Sequence, residues 1–134
     1  MDQTYTGKDR RRYKRVKISL IVVYRRDEPL DVTVREGNRE VKATMLDISE
    51  GGMSIFTDMS IPVSTIVWIK FTLVKTEKDH TDFYGKLELK GEVRYNSLVD
   101  KRCHRLGVCF LNLSEKDRLS IANFVQTIEN YPPK

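Results

Sequence analysis

Val16, Ile18, Leu20 and Val22 recur at every second position, the period that puts side chains on one face of a β-strand. A first strand is therefore predicted from Val16 to Tyr24. The "REGNRE" segment supplies turn chemistry in Gly37 and Asn38, after which Val41, Ala43 and Met45 alternate in a second strand. "DISEGG", Asp47 to Gly52, is expected to end that strand in one sharp turn, and Met53 to Phe56 restarts the β pattern. Val67, Ile69, Phe71 and Leu73 alternate in a fourth strand that carries Trp68 on its other face, and the charged "KTEKDH" stops it. Tyr84 to Tyr95 and Leu106 to Leu113 read as two more, with Leu106, Val108 and Phe110 sharing a face.

The period then changes. Ser114 is placed as a helix N-cap with Asp117 at the third helical position, and Ile121, Phe124, Val125 and Ile128 follow at helical spacing until Pro132 and Pro133. Six short antiparallel strands at meander spacing and one terminal helix predict an all-β fold, a six-stranded antiparallel barrel whose helix covers an opening or flank. A chain of 134 residues suits one domain with a real core. The expected division is a basic arm over residues 1–15, a barrel over 16–113 and a helix over 114–130.

Charge adds what periodicity does not show. Residues 1–17 hold seven Lys or Arg and two acids, whereas the rest of the chain is balanced, so the whole excess of +5 sits in the arm and the first two residues of the strand after it. Like charges at neighbouring positions repel and stay hydrated, so this segment gains little from folding and more from meeting an anion. A flexible arm and a phosphate-bearing partner are expected. No run approaches the ~18 apolar residues of a membrane helix, and no small-residue cleavage site follows "ISLIVV", so a cytoplasmic location is expected. Cys103 and Cys109 are six apart on an expected strand, about 20 Å at ~3.3 Å per residue, too far to pair; reduced thiols suit that compartment.

Two segments carry candidate chemistry. "RRYKR" puts Arg11 and Arg15 four apart with Arg12 beside the first. An arginine fork reads the O6/N7 edge of guanine, stacks on a base or clamps a phosphate. In "DISEGG", Asp47 can accept from the N1 and N2 donors of guanine, Ser49 can bond base or phosphate, and Gly51 and Gly52 complete a turn in which Gly52 lets the backbone approach closely. An Arg-Arg-x-x-Arg arm before the first strand, followed some thirty residues on by Asp-x-Ser-x-x-Gly, resembles the PilZ domain, the bacterial receptor for cyclic di-GMP. "RLGVCFLNLSEKDRLSIANFV", Arg105 to Val125, resembles that family's closing strand, with its Gly-x-x-Phe, and its helix.

The resemblance implies a barrel whose arm wraps the nucleotide against its surface. By it, Arg11 and Arg15 bind guanine and phosphate, Asp47 and Ser49 hold a guanine from the barrel side, and Arg12 occupies a position whose contribution varies. Arg10, just before the motif, is associated in similar proteins with an intercalated ligand pair, which implies two cyclic di-GMP molecules per chain. The expected function is a stand-alone receptor and adaptor, without a cofactor, that orders its arm on the nucleotide and signals to an unidentified downstream protein.

Other classes fit these residues less well. A small basic barrel binding single-stranded RNA or DNA is the alternative, with Trp68, Phe71, Tyr84 and Tyr95 as a stacking platform; alternation instead assigns Phe71 to the core. Cys103 beside His104 lacks a second ligand pair for a metal, and His80 sits in a charged loop. Two isolated histidines and no carboxylate cluster or phosphate-binding glycine loop name no catalytic machinery, so binding without turnover is expected.

Overall fold

In the computed structural model, residues 14–28 and 39–130 are described. The alternating segments form β1 (Val16–Arg26), β2 (Val41–Ser49), β3 (Gly52–Thr57), β4 (Ile66–Thr76), β5 (Thr81–Leu98) and β6 (His104–Leu111), followed by helix α1 (Glu115–Asn130). Every neighbouring pair is antiparallel, and the order β1-β2-β3-β6-β5-β4 closes on itself because β4 pairs back onto β1. Closure leaves no open sheet edge.

The alternation places the core as expected on most strands. Val67, Ile69, Phe71 and Leu73 of β4 point inward with Leu87, Leu89 and Val93 of β5 and Leu106, Val108 and Phe110 of β6. From α1, Ile121, Phe124, Val125 and Ile128 enter the same core, and the helix contacts β1, β2, β4 and β5. It therefore plugs one end of the barrel. Ser114 Oγ accepts from the Asp117 amide at 3.1 Å, the expected N-cap. No helix among the described residues is long and apolar enough to cross a membrane.

Strand limits differ from the pattern. β1 runs on to Arg26, β5 extends past both expected ends to Thr81 and Leu98, and β6 occupies His104–Leu111 rather than Leu106–Leu113. Ladder pairing recruits polar flanks that have no apolar alternation of their own: Thr76 pairs with Thr81, and Leu98 with His104. The turn expected at Gly37 and Asn38, the arm with Arg10, Arg11 and Arg12, and the terminal prolines lie outside the described residues.

The larger difference is in β2. Asp47 and Ser49 are not in a turn; they belong to the strand, paired with Ser54 and Gly52 of β3, and only Glu50 and Gly51 make the turn. Between Met45 and Asp47 the register with β3 slips by one, so Leu46 is an extra residue. A one-residue slip exchanges the faces of everything beyond it. Ala43 and Met45 face the core, but so does Ile48, fully buried, while Met53 and Ile55 opposite keep strict alternation. Asp47 and Ser49 are thereby turned to the outer face of the barrel. β5 repeats the device at Arg94, where the register with β6 slips between Val93 and Tyr95. Val93 is buried in the core, and Tyr95 turns outward, opposite Gly107.

Candidate functional site

The two bulges face one groove on the outside of the barrel. Its volume is about 580 Å³, and its lining includes Arg15, Ser49, Glu50, Gly51, Arg94, Tyr95, Gly107, Cys109 and Arg118. Small residues form its floor. A β-carbon on Gly107 would lie 2.0 Å from the Tyr95 ring, so the ring rests directly on that glycine. Gly52, in the adjoining strand, is held as closely: a β-carbon there would lie 2.1 Å from the carbonyl oxygen of Val108. Its backbone is not in the left-handed region, so the expected need for a glycine holds here through close approach between strands.

Asp47 is the charged centre beside the groove. Arg15 Nη1 donates to Asp47 Oδ1 at 2.5 Å, and the Ser54 amide donates to the same oxygen at 3.1 Å. Arg105 Nη2 donates to Oδ2 at 3.2 Å and lies 3.4 Å from Ser54 Oγ. With 6% of its surface exposed, the carboxyl is desolvated, which by itself raises its pKa; the hydrogen bonds from Ser54 and Arg15 and the charge of Arg15 outweigh this and hold it below the usual carboxylate value. Asp47 is an anion ready to accept. Arg15 stands just before β1, so the last arginine of the basic motif is tied to the barrel wall.

The turn is held by Ser49. Its Oγ accepts from the Gly51 amide at 3.1 Å and lies 3.4 Å from the Gly52 carbonyl oxygen as donor. Glu50, at the tip, accepts from Arg118 Nη1 of α1 at 3.0 Å, and Arg118 also pairs with Glu115, first through that hydrogen bond and then through charge raising its already high pKa. The turn and the start of the helix are thus linked across the groove.

The structure brings Arg15, Asp47, Ser49, Gly51 and Gly52 together from segments some thirty residues apart, as the two motifs require. It adds Arg94, Arg105 and Arg118, which were not among the expected site residues, and Tyr95, expected only as part of a stacking platform. The aromatic residues considered as one platform do not share a surface. Phe71 is in the core and Tyr84 packs edge-on against Phe124 with centroids 5.5 Å apart. Trp68 lies on the outer face of β4, between Arg25 at 5.6 Å and Lys90 at 5.2 Å. Only Tyr95 of the four lines the groove. His104, proposed against as a metal ligand, has its Nδ1 2.8 Å from Asn96 Oδ1.

Comparison with known proteins agrees with this architecture. A family model described as the PilZ domain matches residues 9–127. Among solved structures, the Bacillus subtilis inhibitor of motility MotI/DgrA superposes with a TM-score of 0.66 at 17% identity, over 93% of this chain and 54% of that one. The PilZ domain with c-di-GMP of YcgR from Escherichia coli gives 0.62 at 17% identity, over 91% of this chain and 93% of that one. The K. pneumonia MrkH–c-di-GMP complex gives 0.62 at 14%, over 91% and 52%. At these identities the likeness is one of fold, and the chain spans about half the length of MotI/DgrA and of MrkH. No curated protein matches the sequence.

Proposed function

We propose that this chain, which belongs to the PilZ domain family, is a cyclic di-GMP receptor that binds the nucleotide in the groove beside Asp47. The observation that carries the reading is the bulge at Leu46: it turns an ionised carboxylate and a serine hydroxyl outward beside Arg15, at a groove large enough for a small-molecule ligand. In this reading Asp47 accepts from the N1 and N2 donors of guanine and Ser49 bonds base or phosphate. Arg15 contacts guanine O6 and N7 or a phosphate, joined by Arg10, Arg11 and Arg12 from the arm. Gly51 closes the turn with Glu50, and Gly52 lets β3 lie against β6. Two fold neighbours, the YcgR domain and MrkH, are known in complex with the same ligand.

Binding without turnover suits a groove in which the Ser49 hydroxyl is engaged within its own turn, by the Gly51 amide and the Gly52 carbonyl, and the neighbouring carboxylate of Glu50 is paired with Arg118. The arm would close over the nucleotide, and the composite surface of arm and ligand would be what a downstream protein in the bacterial cytoplasm recognises. Two ligand molecules per chain follow from Arg10, whose guanidinium offsets the repulsion of four phosphates. The test is a melting experiment. Cyclic di-GMP should raise the Tm and linear GMP should do little. A larger shift with oligonucleotides that collapses with added salt would instead favour a single-stranded nucleic-acid binder.

A further inference from the structure

Both oxygens of Asp47 are in use, but unequally. Among the described residues, Oδ1 accepts from Arg15 and from the Ser54 amide, which fills its two lone pairs, while Oδ2 takes its hydrogen bond from Arg105. A guanine edge that engages both oxygens therefore needs one donor to leave Oδ1. The Ser54 amide belongs to β3 and is fixed by the strand, whereas Arg15 precedes β1 and is the donor free to depart. Arg105 can stay.

We propose that Arg105, outside both sequence motifs, is the permanent positioning residue of the site: it holds Asp47 oriented on Oδ2 while Arg15 exchanges that carboxylate for the nucleotide. This rests on the cyclic di-GMP reading for its ligand, but not for the contact between the two residues. The anchoring differs in kind. Arg105 stands on β6, between strands β3 and β5, with its Nη2 shared between Asp47 and Ser54. Its Nε and that of Arg15 are buried with no partner among the described residues, so each guanidinium retains a donor to offer. Once Arg15 leaves, a buried carboxylate without Arg105 would have, among the described residues, no cation against it except Lys17, its exposed cross-strand neighbour on β1; β3 supplies Ser54. A desolvated, unpaired carboxylate takes up a proton and then loses an acceptor for the guanine edge.

The experiment uses the full chain, wild type, Arg105→Gln and Arg105→Lys, in two measurements. Carbon-13 NMR titration of the Asp47 carboxyl in the free protein should show it titrating at higher pH in Arg105→Gln than in wild type, with Arg105→Lys restoring much of the difference. Calorimetry with cyclic di-GMP at pH 7.5 and 5.5 should give about tenfold weaker binding for Arg105→Gln at the higher pH and a further loss at the lower, where wild type changes little. An unchanged Asp47 titration overturns the proposal, and so does a binding loss equal at both pH values, which would mean that Arg105 touches the ligand itself. If wild type binds no nucleotide while the Asp47 titration shifts as described, the receptor reading fails and the hold of Arg105 on Asp47 stands.

Discussion

Gly52 meets the carbonyl oxygen of Val108 so closely that a β-carbon would sit 2.1 Å from it. The obstacle is backbone in a paired strand, which cannot rotate aside, so Gly52→Ala must pry β3 from β6. Overpacking of this kind costs about 1–3 kcal/mol and sometimes more, a fall in Tm of roughly 5–15 °C for a domain of this size. Thermal unfolding should show that fall, and nucleotide affinity should drop with it because Ser49 leans on the same turn.

Gly107 provides the contrast. The group above it is the Tyr95 ring, 39% exposed and able to swing toward solvent. Gly107→Ala is expected to lower Tm by much less than Gly52→Ala while displacing the ring from the groove. Calorimetry on the two variants should therefore find affinity lost with stability in one and nearly alone in the other.

Arg15→Ala should weaken cyclic di-GMP binding ten- to hundredfold, about 1–3 kcal/mol for a bidentate charged contact. Its ion pair with Asp47 ties it to the barrel, so a small loss of stability is expected as well, limited because Arg105 remains on the other oxygen. Equal affinity in wild type and variant would remove Arg15 from the site.

Asp47 sets a pH dependence of stability. Its folded pKa lies below the ordinary value, through bonds from Ser54 and Arg15 that overcome burial. A group depressed on folding contributes fully above its unfolded pKa, about 3.9, and that contribution is lost as pH falls through the folded value. Wild type should thus lose Tm below about pH 4, and Asp47→Asn should show a shallower acid limb. Parallel limbs would mean that the ion pairs hold no net stability.

Amide hydrogen exchange tests the closing of the arm. Adding cyclic di-GMP should increase protection across residues 8–16, where charge-assisted bonds worth ~1.5–3 kcal/mol each become available, with the barrel strands protected throughout. An arm equally protected with and without nucleotide would refute ordering on binding.

Much of this protein is legible in order along its chain. Period-two runs such as Val67 to Leu73 encode a face by themselves, because successive strand residues alternate whatever they pair with. Ser114 and the stripe from Ile121 to Ile128 encode the helix in the same local way, and "RRYKR" and "DISEGG" carry side chains whose chemistry suits a phosphate and a guanine edge before any fold is known. A signal for the β2 bulge was present too: Met45 and Ile48, both apolar and three apart, break the period, and reading Asp47 onward as a turn concealed it. What the chain's order could not contain is which residue opposes which. The slips at Leu46 and Arg94 exist only relative to β3 and β6, and they decide that Asp47, Ser49 and Tyr95 face outward. Arg105 reaches Asp47 across 58 positions, and Gly52 needs its missing side chain because Val108 lies against it. Those relationships are set by closure of the barrel, since pairing between distant strands, and not the sequence near any one of them, fixes the distance between their side chains.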